Sequence, residues 1–179
     1  MKKSIAFSFL IILTLFSCEL FNQNQFSQLE KNDIDSGLRI MERLFIDMLW
    51  NEPLAYQEDD FTGIHLVWNL WDSTAKAEGY LTNTEYYNLF RDGYSGSLPL
   101  TITLTKNFDS YTERYYSLNL STNFLWESNN FYEIAVEGEC IISDLYFQSF
   151  TIELNYLLDD HKLSSVSGKV YNENRYIFY

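Results

Sequence analysis

From residue 98 to the C-terminus the chain alternates apolar and polar side chains with period two, and an antiparallel sheet is the fold element that such a run demands. Leu98, Leu100, Ile102 and Leu104 are interleaved with Thr101, Thr103 and Thr105, and Tyr116, Leu118 and Leu120 with Ser117, Asn119 and Ser121. Further rows run through Tyr132, Ile134, Val136, Cys140 and Ile142, and through Phe150, Ile152, Leu154, Tyr156 and Leu158. Residues 163–171 and 176–179 continue the pattern. Successive strand side chains point to opposite faces, so each row has a buried side and a wetted side. The links are short, and two carry turn residues, Asp159-Asp160-His161-Lys162 and Asn172-Glu173-Asn174. Neighbouring strands are therefore expected to pair antiparallel in chain order.

A sheet with one apolar face must cover it. Ile34, Leu38, Met41, Phe45, Met48 and Leu49 recur at the three-and-four spacing of a helix face. Ser27 and Glu30 have capping-box spacing, Asp33 and Asp35 suit the helix dipole, and Pro53 stops the helix. Between residues 54 and 97 the pattern is divided. Ile64, Leu66, Trp68 and Leu70 alternate as a strand would, while Ile64, Val67, Trp68, Trp71 and Ala75 also fit a helix. Gly63 and the strand-like Gly79-Tyr80-Leu81-Thr82 favour strands, and residues 89–97 read as a loop. The expected fold is mainly β, of the α+β kind: an antiparallel meander of about six to eight strands. The sheet either stays open or curls into a half-barrel or barrel, packed on one amphipathic helix. The helix is placed at 29–52 and strands fill most of 61–179, in one domain spanning 29–179.

The first residues serve a different purpose. Lys2 and Lys3 precede an apolar run over residues 5–16, too short to span a bilayer, which takes about 20 apolar residues. The run ends in Leu15, Phe16, Ser17 and Cys18. This resembles the lipobox of bacterial lipoproteins, with Phe16 standing where most such motifs carry a smaller residue. The resemblance implies that residues 1–17 are a signal peptide removed by cleavage and that Cys18 is diacylated through its sulfur. Two or more acyl chains give stable anchoring where one gives only marginal binding. Residues 18–28 then form the lipidated cysteine and a polar tether. The expected location is the bacterial cell envelope on the extracytoplasmic side. Glu19 is not the aspartate associated with inner-membrane retention, which favours an outer membrane. The segments at 132–138 and 163–170 also look like a class of small bacterial lipoproteins built from Gly-spaced hairpins. That resemblance implies architecture and carries no activity.

Charge sharpens the picture. Losing Lys2 and Lys3 with the leader takes the formal net charge from −13 to −15, which opposes binding to nucleic acid or to anionic headgroups. Membrane contact is therefore expected through the lipid alone. With Cys18 lipidated, Cys140 has no partner for a disulfide, and its place on an apolar row suits a core residue.

The search for chemistry yields little. His65 and His161 lie in no nucleophile or metalloprotease motif. Asp159-Asp160-His161 has metal-type ligands but is ordinary turn sequence. Glu58-Asp59-Asp60 lacks the spacing of a calcium loop. Glu137 and Glu139 stand about 7 Å apart on one strand face, as carboxylates on any wetted strand do. No catalytic residue, metal or cofactor is assigned, and an enzyme is not expected. The unusual feature is 14 Tyr, 14 Phe and 4 Trp. Trp50, Trp68, Trp71 and Trp126 are candidates to line a pocket for an apolar or sugar ligand, against the plainer alternative that aromatic residues fill the core. Two readings result: a non-catalytic interaction module with an unidentified protein partner, and a carrier of a small ligand.

Overall fold

Ser27 caps the first helix. Its hydroxyl accepts from the Glu30 backbone N–H at 3.3 Å, and its own N–H donates to Glu30 Oε2 at 2.7 Å, the reciprocal capping box expected there. Replacing Ser27 by alanine removes one of these bonds. The expected loss is about 1 kcal/mol, read as a fall of roughly 2–4 °C in the thermal midpoint. In this computed structural model the described residues are 25–57, 63–89, 95–127, 130–143, 148–159, 162–173 and 175–179. The expected signal peptide with Leu15, Phe16, Ser17 and Cys18 lies outside them, as do the first part of the expected tether, Glu58-Asp59-Asp60 and Asp160-His161.

The helix α1 (Gln28–Trp50) is followed by β1 (Leu54–Gln57), β2 (Gly63–Leu70) and β3 (Ala75–Thr82), then by a short helix, α2 (Asn83–Leu89). Long strands follow: β4 (Ser95–Asp109), β5 (Arg114–Glu127), β6 (Asn130–Ser143), β7 (Gln148–Asp159) and β8 (Lys162–Asn172). The short β9 (Arg175–Phe178) closes the chain. Every strand pairs antiparallel with its neighbours in sequence, giving one nine-stranded sheet in the order β1 to β9. The meander and its helix are therefore as expected, and the strand number is corrected upward to nine. The added pairing is Leu54–Gln57 against β2, a stretch without period-two apolar patterning because all four residues are exposed.

The sheet is open: β1 and β9 each pair with one neighbour, so the barrel alternative is set aside. The physical reason is α1, which already covers the apolar face that curling would have had to bury. Ile34, Leu38, Met41, Leu44, Phe45 and Met48 are buried against the inward rows of the strands. The helix touches β2 toward one side of the sheet and β8 toward the other. It approaches so closely at Gly37 that a Cβ there would lie 2.9 Å from the Phe150 ring and 3.0 Å from Cys140 Sγ. Helix α1 ends at Trp50 because Asn51 is extended (φ −114°, ψ 132°) and Glu52 precedes a proline.

Residues 61–92 contain both kinds of element, two strands and then α2. The strands β3 and β4 pair only over residues 75–78 and 101–104. Beyond that Pro99 has no N–H to give, and a Cβ on Gly79 would lie 2.4 Å from the Pro99 carbonyl oxygen. The paired register stops there although the backbones remain close, and α2 packs in contact with β2, β3 and β4. Residues 89–97 are not all loop, since β4 starts at Ser95. In β6 a register shift opposite Leu125 and Trp126 turns Phe131 inward and leaves Tyr132 exposed, reversing the parity expected for Tyr132.

Candidate functional site

The four tryptophans have separate fates. Trp126 is 1% exposed, beneath Gly96 and edge-on to Phe131, and is core. Trp71 sits in the β2–β3 turn with φ 51°. Its indole N–H donates to Asp47 Oδ2, and the Arg43 guanidinium lies 5.3 Å from its ring centroid, so its contacts dock the hairpin on α1. Trp50 and Trp68 are brought together. The helix ends at one, Pro53 turns the chain back as β1, and β2 carries the other.

They line an open cleft of about 430 Å³ at the C-terminal end of α1, together with Met48, Leu49, Leu66, Leu89, Leu98 and Phe131. Leu66, Leu98, Met48 and Trp68 are nearly fully buried at its base, while the Trp50 indole is 69% exposed. The Trp68 and Asn51 donors of its wall are bonded to carbonyls. Trp68 Nε1 donates to the Asn51 carbonyl at 2.8 Å, and Asn51 donates from its side chain to the Asp47 carbonyl and from its backbone to the Met48 carbonyl. The cleft presents apolar surface with Glu52 at its edge. A site of this size and lining suits a small ligand or an inserted side chain.

The opposite end of α1 is tied down by polar contacts. Arg114 donates to the buried Asp33 carboxylate, Arg175 to Glu30 at 2.6 Å, and the Tyr179 hydroxyl to Asp35 at 3.3 Å. At the β4–β5 turn Thr112 Oγ1 lies 2.8 Å from Asp109 Oδ2 and 3.1 Å from the Tyr116 hydroxyl. Burial alone would raise the Asp109 pKa, but the bonds from Thr112, Tyr111 and Ser36 outweigh it and hold the carboxyl below its usual range. Further along α1, burial raises Glu42 above the usual carboxylate range. It raises the Tyr156 hydroxyl beside it still further, helped by the Glu42 charge. The contacts of Glu30, Asp33 and Asp35 fasten the helix to the sheet and to the C-terminal strand.

Outside the helix-covered side, His65 stacks on Tyr80 with centroids 4.3 Å apart, and its Nε2 lies 3.4 Å from Glu78 Oε2. Glu137 and Glu139 are both exposed on the wetted face of β6. Burial pushes the Cys140 thiol well above its ordinary range, as expected of an inert core residue. Among the described residues there is no group of three or more His, Cys, Asp and Glu placed to hold a metal ion. No helix among them is long and apolar enough to cross a membrane. The cleft partners Leu66, Leu89, Leu98 and Phe131 were not legible as a set, because they come from four elements with no common spacing. The parity of β5, by contrast, already assigns Trp126 to the core, in step with Tyr116, Leu118 and Leu120. In comparisons with known proteins the chain matches no protein-family model, no curated protein and no solved structure.

Proposed function

We propose that the protein is a lipid-anchored, non-catalytic binding module of the bacterial cell envelope, held through Cys18 with its domain on the extracytoplasmic side, on an outer membrane. The observation that carries this reading is the Trp50–Trp68 cleft: a largely apolar hollow in which the Trp68 and Asn51 donors are bonded to carbonyls and Trp50 is exposed. Exposed apolar surface around a formed hollow marks a binding site. Its position fits the anchor. The capping residue Ser27 follows Cys18 closely in the chain, and a helix of 23 residues is about 34 Å long. The cleft lies at the end of α1 far from the capping residue that follows the anchor.

The Cys18→Ala variant tests the anchor. The unchanged protein is expected in the membrane pellet and in the detergent phase, and the variant in neither; a variant that still fractionates with lipid refutes the anchor. Native mass spectrometry of the mature protein released from micelles tests the occupant. A mass increment lost on denaturation favours the second reading, a small-ligand carrier, which the size of the cleft supports. A bare mass favours a protein partner.

A further inference from the structure

We propose that the cleft at the end of α1 takes a small apolar molecule that carries a positive charge. The inference rests on the binding-module reading of the cleft and adds the chemistry of the occupant. The base, made by Leu66, Leu98, Met48 and Trp68, offers hydrocarbon and ring surface. The indole N–H of Trp68 and the side chain and N–H of Asn51 are already committed to carbonyls within the wall. A hydroxyl-rich ligand such as a sugar would leave water without gaining bonds from these donors, so the body of the occupant is apolar.

The rim decides the charge. Glu52 is the charged residue among the described residues that line the cleft, and the exposed Trp50 indole lines it too. An aromatic face attracts cations through its quadrupole, and a neighbouring carboxylate adds attraction of the same sign. The formal net charge, −13 for the full chain and −15 without Lys2 and Lys3, disfavours an anion. An ammonium group at the rim, with its hydrocarbon or ring directed to Leu66 and Trp68, meets both requirements.

The test uses three near-isosteric probes, phenylbutylammonium, phenylbutanol and phenylbutanoate. Each is titrated against the mature protein in nanodiscs, with empty nanodiscs as the blank, and read by tryptophan fluorescence and saturation-transfer NMR. The ammonium is expected to bind about tenfold more tightly than the alcohol, and the carboxylate most weakly. Trp50→Ala, at an exposed position, should weaken the ammonium by about tenfold without unfolding the protein. Glu52→Gln should bring the ammonium close to the alcohol and leave the alcohol unchanged. Glu113→Gln, an exposed carboxylate at the β4–β5 turn, should change neither. Equal binding of the three probes overturns the charge assignment while sparing the cleft as a site. Binding that survives Trp50→Ala unchanged overturns both. The fractionation of Cys18→Ala is independent of either result.

Discussion

Phe45→Ala is expected to lower the unfolding free energy by about 3–5 kcal/mol, while Ile46→Ala, one residue along the same helix, should cost less than about 1 kcal/mol. Phe45 is 0% exposed and meets Phe124 and Tyr156 edge-on, each at a centroid distance of 5.8 Å. Ile46 is 38% exposed. The side chain of Phe45 is thus the wedge between α1 and the middle strands, β5 and β7. Its loss leaves a void that the sheet cannot close, because β5 and β7 are held in register by β6 between them. Two edge-to-face ring contacts are lost with it, each worth about 0.5–1.5 kcal/mol beyond area. Against a typical total of about 5–15 kcal/mol, such a loss moves the urea midpoint visibly. The effect should reach the cleft, since Phe124 in turn supports Phe131 at 5.6 Å. A midpoint for Phe45→Ala as high as that for Ile46→Ala would mean that α1 does not cover the sheet as described.

Much of this arrangement is legible in the sequence because its largest interactions are periodic. The rows beginning at Leu98 and Tyr116 bury the side chains their parity assigns, and the helical stripe from Ile34 to Met48 buries its own. Legibility fails where something other than periodicity decides the structure. The edge strand β1 has no buried side and therefore no pattern. Tyr132 loses its parity to a bulge, which one extra residue creates without altering composition. Short α2 follows the end of β3, and its N-terminus is capped by Thr82 and Glu85, with Thr82 N–H donating to Glu85 Oε2 at 2.9 Å. That spacing was available to be read, but a seven-residue helix carries too little periodicity to compete with its strand-like neighbours.

The cleft was half legible. Aromatic residue type singles out the four tryptophans, and only contacts distant in sequence separate Trp50 and Trp68 from Trp71 and Trp126. Trp71 satisfies its indole on α1, and Trp126 fills the interior. What distinguishes the pair is an ending: α1 stops at the exposed Trp50, and the chain turns at Pro53 into β1, which pairs with the β2 that carries Trp68. A cleft built at the junction of a helix end and several strands has no local signature, because each wall belongs to a different element.

Raising the pH above about 10 should unfold the protein cooperatively, and Tyr156→Phe should make that loss shallower. Burial is the first cause of the raised pKa of Tyr156, with the Glu42 carboxylate beside it adding to the shift. Burial likewise raises Tyr116, reinforced by Asp33, and Cys140, reinforced by Glu139. In each case the folded state holds a proton that the unfolded chain releases. Below the ordinary pKa both states keep it and stability is unaffected. Above it the unfolded state binds fewer protons, so stability falls as pH rises, by at most about 1.4 kcal/mol per pH unit for each fully buried group. Tyr179 is raised in the same direction by burial and by Asp35, but at 36% exposure solvent screening reduces what it adds. The three buried groups act in the same direction, so their effects add and stability falls progressively as pH rises above about 10. The phenolate absorbance of the buried tyrosines should therefore appear together with the loss of near-UV circular dichroism, not before it. In Tyr156→Phe one proton leaves the linkage, and the slope of stability against pH above 10 should drop by about one proton's worth. An unchanged slope would mean that Tyr156 already titrates in the folded protein, and so that water reaches the interface between Glu42 and β7.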